Sequence, residues 1–212
     1  MRVAIIGTEL SNLICAHTLL DQHPEMELHL IEERPETGLM GEGPGLLNGH
    51  FEELFSREWH HHLGSQQPNP ESSALRRSWL EKSIASKLSE RGAVIHLRTH
   101  PTIDSEGEKT SLFLTGAGLT SERELVVDHL LSTTPEIESN TWFGGVHSGN
   151  LKASSYEGSR SDGLVEVWWS EEENNQYEGR KWLQLMEWKG ADPRTALVDA
   201  ISRGRALAAT IL

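Results

Sequence analysis

The sequence predicts an α/β fold: one domain over residues 1–212, layered around a parallel sheet, with a small antiparallel β-meander and a β-hairpin appendage. Three observations predict it. Residues 2–33 (RVAIIGTELSNLICAHTLLDQHPEMELHLIEE) read as strand, tight turn, helix, strand, a parallel βαβ unit. Residues 74–97 repeat the helix-then-strand order (ALRRSWLEKSIASKLSERG, AVIHL). Two β-type runs, residues 163–169 and 181–188, flank the acidic stretch SEEENNQYEGR, as a hairpin would.

The elements follow in order. Val3, Ala4, Ile5 and Ile6 form a β-branched apolar run, suited to a strand buried on both faces. Gly7 ends it at a turn. Leu10, Leu13, Ile14, His17, Leu20 and Asp21 fall at helical spacing, and Pro24 closes that helix. Leu28, Leu30 and Ile31 make the second strand, ending on Glu32 and Glu33. Residues 34–72 are a long loop carrying Gly38, Gly41, Gly43, Gly45 and Gly49, with a helical turn within residues 51–59. The helix over residues 74–92 has one stripe of Leu75, Trp79, Leu80, Ile84 and Leu88, a cap at Ser72 or Ser73 and a stop at Gly92. Residues 110–114 and 124–128 fit strands of a small antiparallel set, and residues 129–134 a further strand stopped by Pro135. Residues 136–162 are polar and Gly/Ser-rich and read as a loop. Residues 193–212 are an amphipathic helix with Pro193 in its first turn.

Composition narrows the function. A net charge of −13 with His neutral opposes binding to nucleic acid or an anionic membrane by bulk electrostatics. Cys15 is the only cysteine, so no disulfide forms within the chain, which suits a reducing cytosol. No apolar run reaches the roughly 18 residues that span a bilayer, and the chain opens directly on a strand, so a cytoplasmic protein without a signal peptide is expected. His60, His61 and His62 cannot all ligate one metal from one helical face. They read as a polar loop, with a metal-dependent hydrolase the remote alternative, and no residue is assigned to a metal. Seven tryptophans stand against two tyrosines, with Trp168, Trp169, Trp182 and Trp188 near the C-terminal end.

The turn after the first strand carries the chemistry. Dinucleotide-binding βαβ units place Gly-x-Gly-x-x-Gly there. In this chain the three slots hold Gly7, Glu9 and Asn12. Gly7 serves the turn, Glu9 puts a negative charge where a pyrophosphate would approach, and Asn12 is bulkier than the packing glycine. Gly7, Thr8, Glu9, Leu10, Ser11 and Asn12 are therefore the candidate cradle, and Glu32 or Glu33 the candidate acid for ribose hydroxyls.

Four stretches together resemble the FAD/NAD(P)-binding flavoproteins, the family of amine oxidases and geranylgeranyl-reductase-like enzymes. They are VAIIG…LICAHTLL…LHLIEERPETG, RRSWLEKSIASKLSERGAVIHL, VVDHLLSTTP and ADPRTALVDAISRGRALAATIL. The resemblance implies a three-layer Rossmann-type FAD/NAD(P)-binding fold. It implies contacts to FAD or NAD(P) from Arg34, Arg77, Thr133 and Thr134 as well as from the opening turn. It also implies redox chemistry on a small molecule. The chain departs from the pattern at Glu9 and Asn12, at Ser132-Thr133-Thr134-Pro135 in place of an Ala-Thr-Gly ending, and at the family's Gly-Asp, whose slot falls near Glu187 and Trp188, with Asp192 the nearest aspartate and suited to capping a helix. The chain is about half the usual family length, with residues 136–188 a reduced substrate domain. The alternative is a relative without cofactor or catalysis, acting as an interaction module or homodimer through the Trp-rich hairpin.

Overall fold

A computed structural model of the chain describes every residue except 39–42, 105–108, 118–122, 134–139, 150–155, 174–176 and 178. It falls into two compact units: Met1–Leu39, Glu81–Thr134 and Ala200–Leu212 make the first, Met40–Leu80 and Pro135–Asp199 the second.

The first unit is built on strands β1 (Arg2–Ile6), β2 (Glu27–Ile31), β3 (Val94–His96) and β7 (His129–Ser132), in the order β3-β2-β1-β7. All three pairings are parallel, with Arg2 opposite Glu27 and Ile6 opposite both Ile31 and Ser132. Helix α1 (Leu10–Gln22) joins β1 to β2, so the opening βαβ unit is as its apolar spacing predicts. One face of the sheet is covered by an antiparallel meander of β4 (Thr99–Asp104), β5 (Thr110–Gly116) and β6 (Glu124–Val127). There Ala4 and Ile31 pack with Leu112, Leu114, Leu125 and Val127. The sequence gives no sign of β4, because THPTID carries a proline and lacks an apolar alternation.

Helices make the third layer. α4 (Ala196–Ala208) lies so close to α1 that a Cβ on Gly204 would come within 2.4 Å of the Ser11 carbonyl oxygen. Cys15 is fully buried in α1 and burial pushes its thiol up to about 12, so it is a core residue rather than a nucleophile. His17, also on α1, is buried: its Nε2–H donates to the Ile84 carbonyl (3.1 Å) and its Nδ1 accepts from Arg91 (2.9 Å). Burial chiefly lowers its pKa from 6.5 to about 4. The unfolded chain therefore binds a proton that the folded one refuses between those values, and stability falls as pH drops from 6.5 towards 4. Urea midpoints at pH 7 and pH 5 should differ by about 2 kcal/mol in unfolding free energy from this group, and His17→Leu should remove that part of the slope.

The second unit holds an antiparallel sheet of β8 (Asn140–Ser148), β9 (Glu157–Ser159), β10 (Leu164–Ser170) and β11 (Gln184–Gly190), ordered β11-β8-β10-β9. This corrects the hairpin expected from residues 163–188. β10 and β11 are both strands, but each pairs with β8, which runs between them out of the supposed loop. Gly144 and Gly145 disguise β8 in the sequence, and they are also why it fits. A Cβ on Gly144 would stand 2.9 Å from the Trp168 ring, and one on Gly145 2.3 Å from the Trp182 ring. Trp168 and Trp169 are buried in this sheet's own packing, Trp169 stacking on Tyr177 and Trp182. Among the described residues of this region, Leu183 and Leu185 are exposed large apolar side chains.

The remaining helices are α2 (Phe51–Leu54) and α3 (Arg77–Glu90). Trp79 departs from the predicted buried stripe: it is exposed beneath the Arg76 guanidinium. His60 departs from the polar-loop reading, being buried edge-on to Phe51 with its pKa lowered, mainly by burial. His61 and His62 are exposed as expected. Among the described residues, no helix is long and apolar enough to cross a membrane.

Candidate functional site

The C-terminal ends of β1, β2 and β7 share one edge of the parallel sheet, where open α/β sheets bind ligands. Gly7 stands there with φ +91°, a left-handed conformation that glycine adopts without strain, and its N–H donates to the Ile31 carbonyl at 2.7 Å. The chain then turns into α1, whose first turn has no side-chain cap and no acidic residue. Such an end leaves backbone N–H groups and a positive dipole facing outward.

Thr8 and Glu32 tie this turn to β2. The Thr8 N–H donates to Glu32 Oε2 at 3.0 Å and the Thr8 hydroxyl to the same oxygen at 2.5 Å. Arg34 adds its backbone N–H (2.9 Å) and Nε (2.8 Å) to Oε1, and Nη2 (2.8 Å) to Oε2. Burial works against this carboxylate, but the Arg34 and Thr8 hydrogen bonds outweigh it and hold its pKa at about 2 rather than 4.5. Its stabilising contribution is present above pH 4.5 and is lost as pH falls through 2. Five donors occupy both oxygens, so Glu32 fixes the shape of the edge and has no acceptor site left for a ribose. Glu33, one residue on, is exposed and meets only His100, at 3.2 Å, among the described contacts.

Glu9 and Asn12 occupy the second and third glycine slots as a pair. Asn12 is fully buried; its Nδ2 donates to the Ile6 carbonyl (2.7 Å) and to Glu9 Oε2 (3.0 Å), and its Oδ1 has no partner. The Glu9 carboxylate lies directly over the turn, where a Cβ on Gly7 would be 2.3 Å from Oε2. It is lightly held, with Arg34 Nη2 at 3.4 Å and about half its side chain exposed. Leu10 and Ser11 are buried in the first turn of α1.

Of the other expected residues, Thr133 follows β7 at the same edge, one residue beyond the Ile6–Ser132 pairing. Thr134 lies outside the described residues. Arg77 belongs to the second unit, where its guanidinium packs against Gly43.

The second unit has a cleft of about 410 Å³ lined by Leu46, Leu47, Asn48, Ser73, Asp192 and Arg194, among others. Asp192 lies in the turn before α4 rather than at the helix cap expected of it, accepting from the Arg194 N–H (2.8 Å) and forking with the Arg194 side chain, which lowers its pKa. The wall bearing Leu46 is fixed by a buried ion pair that sequence reasoning missed. Glu166 on β10 accepts from Arg160 (Nε 3.0 Å, Nη2 2.5 Å), from the Gly45 N–H (2.8 Å) and from Trp168 Nε1 (2.6 Å). One signal for it was available: an acid within the apolar run LVEVWWS, which needs a buried partner.

No family model and no curated protein matches the chain. Solved structures do. The aromatic hydroxylase CabE from angucycline biosynthesis is 13% identical with a TM-score of 0.61, over 99% of this chain and 62% of its own. A flavoprotein/dehydrogenase from Cytophaga hutchinsonii is 10% identical with a TM-score of 0.63, over 99% of this chain and 77% of its own. CtdE, solved in complex with FAD and a substrate, is 11% identical with a TM-score of 0.57, over 100% of this chain and 66% of its own. The chain thus spans just under two thirds of CabE and of CtdE. A likeness at these identities is one of fold alone: the chain has the fold of these proteins.

Proposed function

We propose that the chain binds FAD at the C-terminal edge of its parallel sheet and serves flavin-dependent oxidoreductase chemistry on a small molecule. One observation carries the reading: a left-handed Gly7 leading into an α1 whose N-terminus has no side-chain cap. A glycine turn running into a helix N-terminus whose N–H groups have no side-chain cap is a cradle for a pyrophosphate. Backbone N–H groups of Leu10, Ser11 and Asn12 would hold the phosphates, and Glu33 the ribose hydroxyls. Thr8, Glu32 and Arg34 keep the turn and the end of β2 in register. Bound flavin supplies the hydride chemistry. Residues 136–188 serve as a reduced substrate domain.

The experiment is a titration of the purified protein with FAD, followed by flavin fluorescence and thermal melting. Saturable binding with a rising melting temperature is expected, since a ligand at 100 times its Kd adds about 2.7 kcal/mol. A shift with NADPH and none with FAD would move the assignment to NAD(P). No shift with either would remove it.

A further inference from the structure

We propose that Glu9 is an internal anion occupying the phosphate position of this cradle, so that its charge sets the affinity for a dinucleotide. The inference rests on the dinucleotide reading and adds a residue that determines affinity. Three features place the carboxylate there. Oε2 lies over Gly7, within 2.3 Å of where a Cβ would be. Asn12 Nδ2, at the slot of the third glycine, donates to it at 3.0 Å. Arg34 Nη2, the one cation described beside it, is 3.4 Å away and shared with Glu32 at 2.8 Å.

A phosphate entering the same turn would meet that negative charge at close range. With Glu32 ionised behind Arg34, two carboxylates already share that one guanidinium. Glu9 is half exposed, so its side chain can swing into solvent without disturbing the core. Its charge stays near the mouth, and water and salt screen it only in part.

The test compares FAD titrations of the wild type, Glu9→Gln and Glu9→Gly, read as flavin fluorescence, with each variant's melting temperature as the folding control. Glu9→Gln keeps the volume and the Asn12 contact and removes only the charge. It should bind FAD about tenfold more tightly than the wild type, a factor worth about 1.4 kcal/mol, and Glu9→Gly at least as tightly as Glu9→Gln. Equal affinity of the wild type and Glu9→Gln would overturn the inference and leave FAD binding standing. Failure of all three folded proteins to bind FAD would overturn the inference together with the reading beneath it.

Discussion

Glu166→Ala should lower the unfolding free energy by about 3–5 kcal/mol, the cost of leaving one partner of a buried ion pair behind. Arg160 is only 6% exposed and would keep its charge after losing the one carboxylate it pairs with among the described residues. The Gly45 N–H and the Trp168 indole N–H would lose their acceptor in the same step, and each orphaned buried donor adds to the loss. Urea denaturation followed by far-ultraviolet circular dichroism measures it. The double variant Glu166→Met, Arg160→Met should recover part of the loss, because removing both charges ends the unpaired-ion penalty. It should not recover all of it, because Gly45 and Trp168 remain unsatisfied. A single variant as stable as the wild type would mean that Glu166 does not hold the 43–48 segment to β10.

Gly144→Val should cost about 3 kcal/mol, the upper end of the range for overpacking a filled core. The added Cβ alone would sit 2.9 Å from the ring of Trp168, a side chain with no exposed surface. Trp168 cannot yield easily, since it is packed among Leu46, Ala74, Val146 and Met186 and tethered through its indole N–H. Gly145→Ala meets the ring of the half-buried Trp182 instead. That ring can swing outward and lose its stack on Trp169, so a smaller loss of stability with a changed near-ultraviolet signal is expected. Denaturation curves for both variants, with near-ultraviolet circular dichroism, separate the two responses. Equal and negligible effects would place β8 elsewhere than between β10 and β11.

These two sites also show where the sequence was legible. The opening βαβ unit could be read because its signals are local: a β-branched run, a turn glycine, helical spacing, then a second apolar run. The same spacing places Gly7, Glu9 and Asn12 together in one turn, and the structure has them in contact there. What could not be read depends on partners far along the chain. β8 has two glycines at its centre, and they signal a loop until the rings of Trp168 and Trp182 are set against them. The pairing of β10 with β11 followed from proximity in sequence, yet a third strand intervenes from upstream. From their place at the end of β2, either Glu33 or Glu32 is expected to meet a ribose, and only the structure shows that Glu32 is engaged elsewhere. Thr8, 24 residues earlier, and Arg34 had already taken its acceptor sites.

The most direct test of the central claim is a set of amide chemical-shift measurements on isotope-labelled protein during titration with FAD. Binding at the proposed edge predicts saturable shifts concentrated at Gly7 to Asn12 and at Glu33, larger and earlier in Glu9→Gln than in the wild type. Amides of that turn that stay unmoved while flavin binds elsewhere, or that stay unmoved at every FAD concentration, would contradict it.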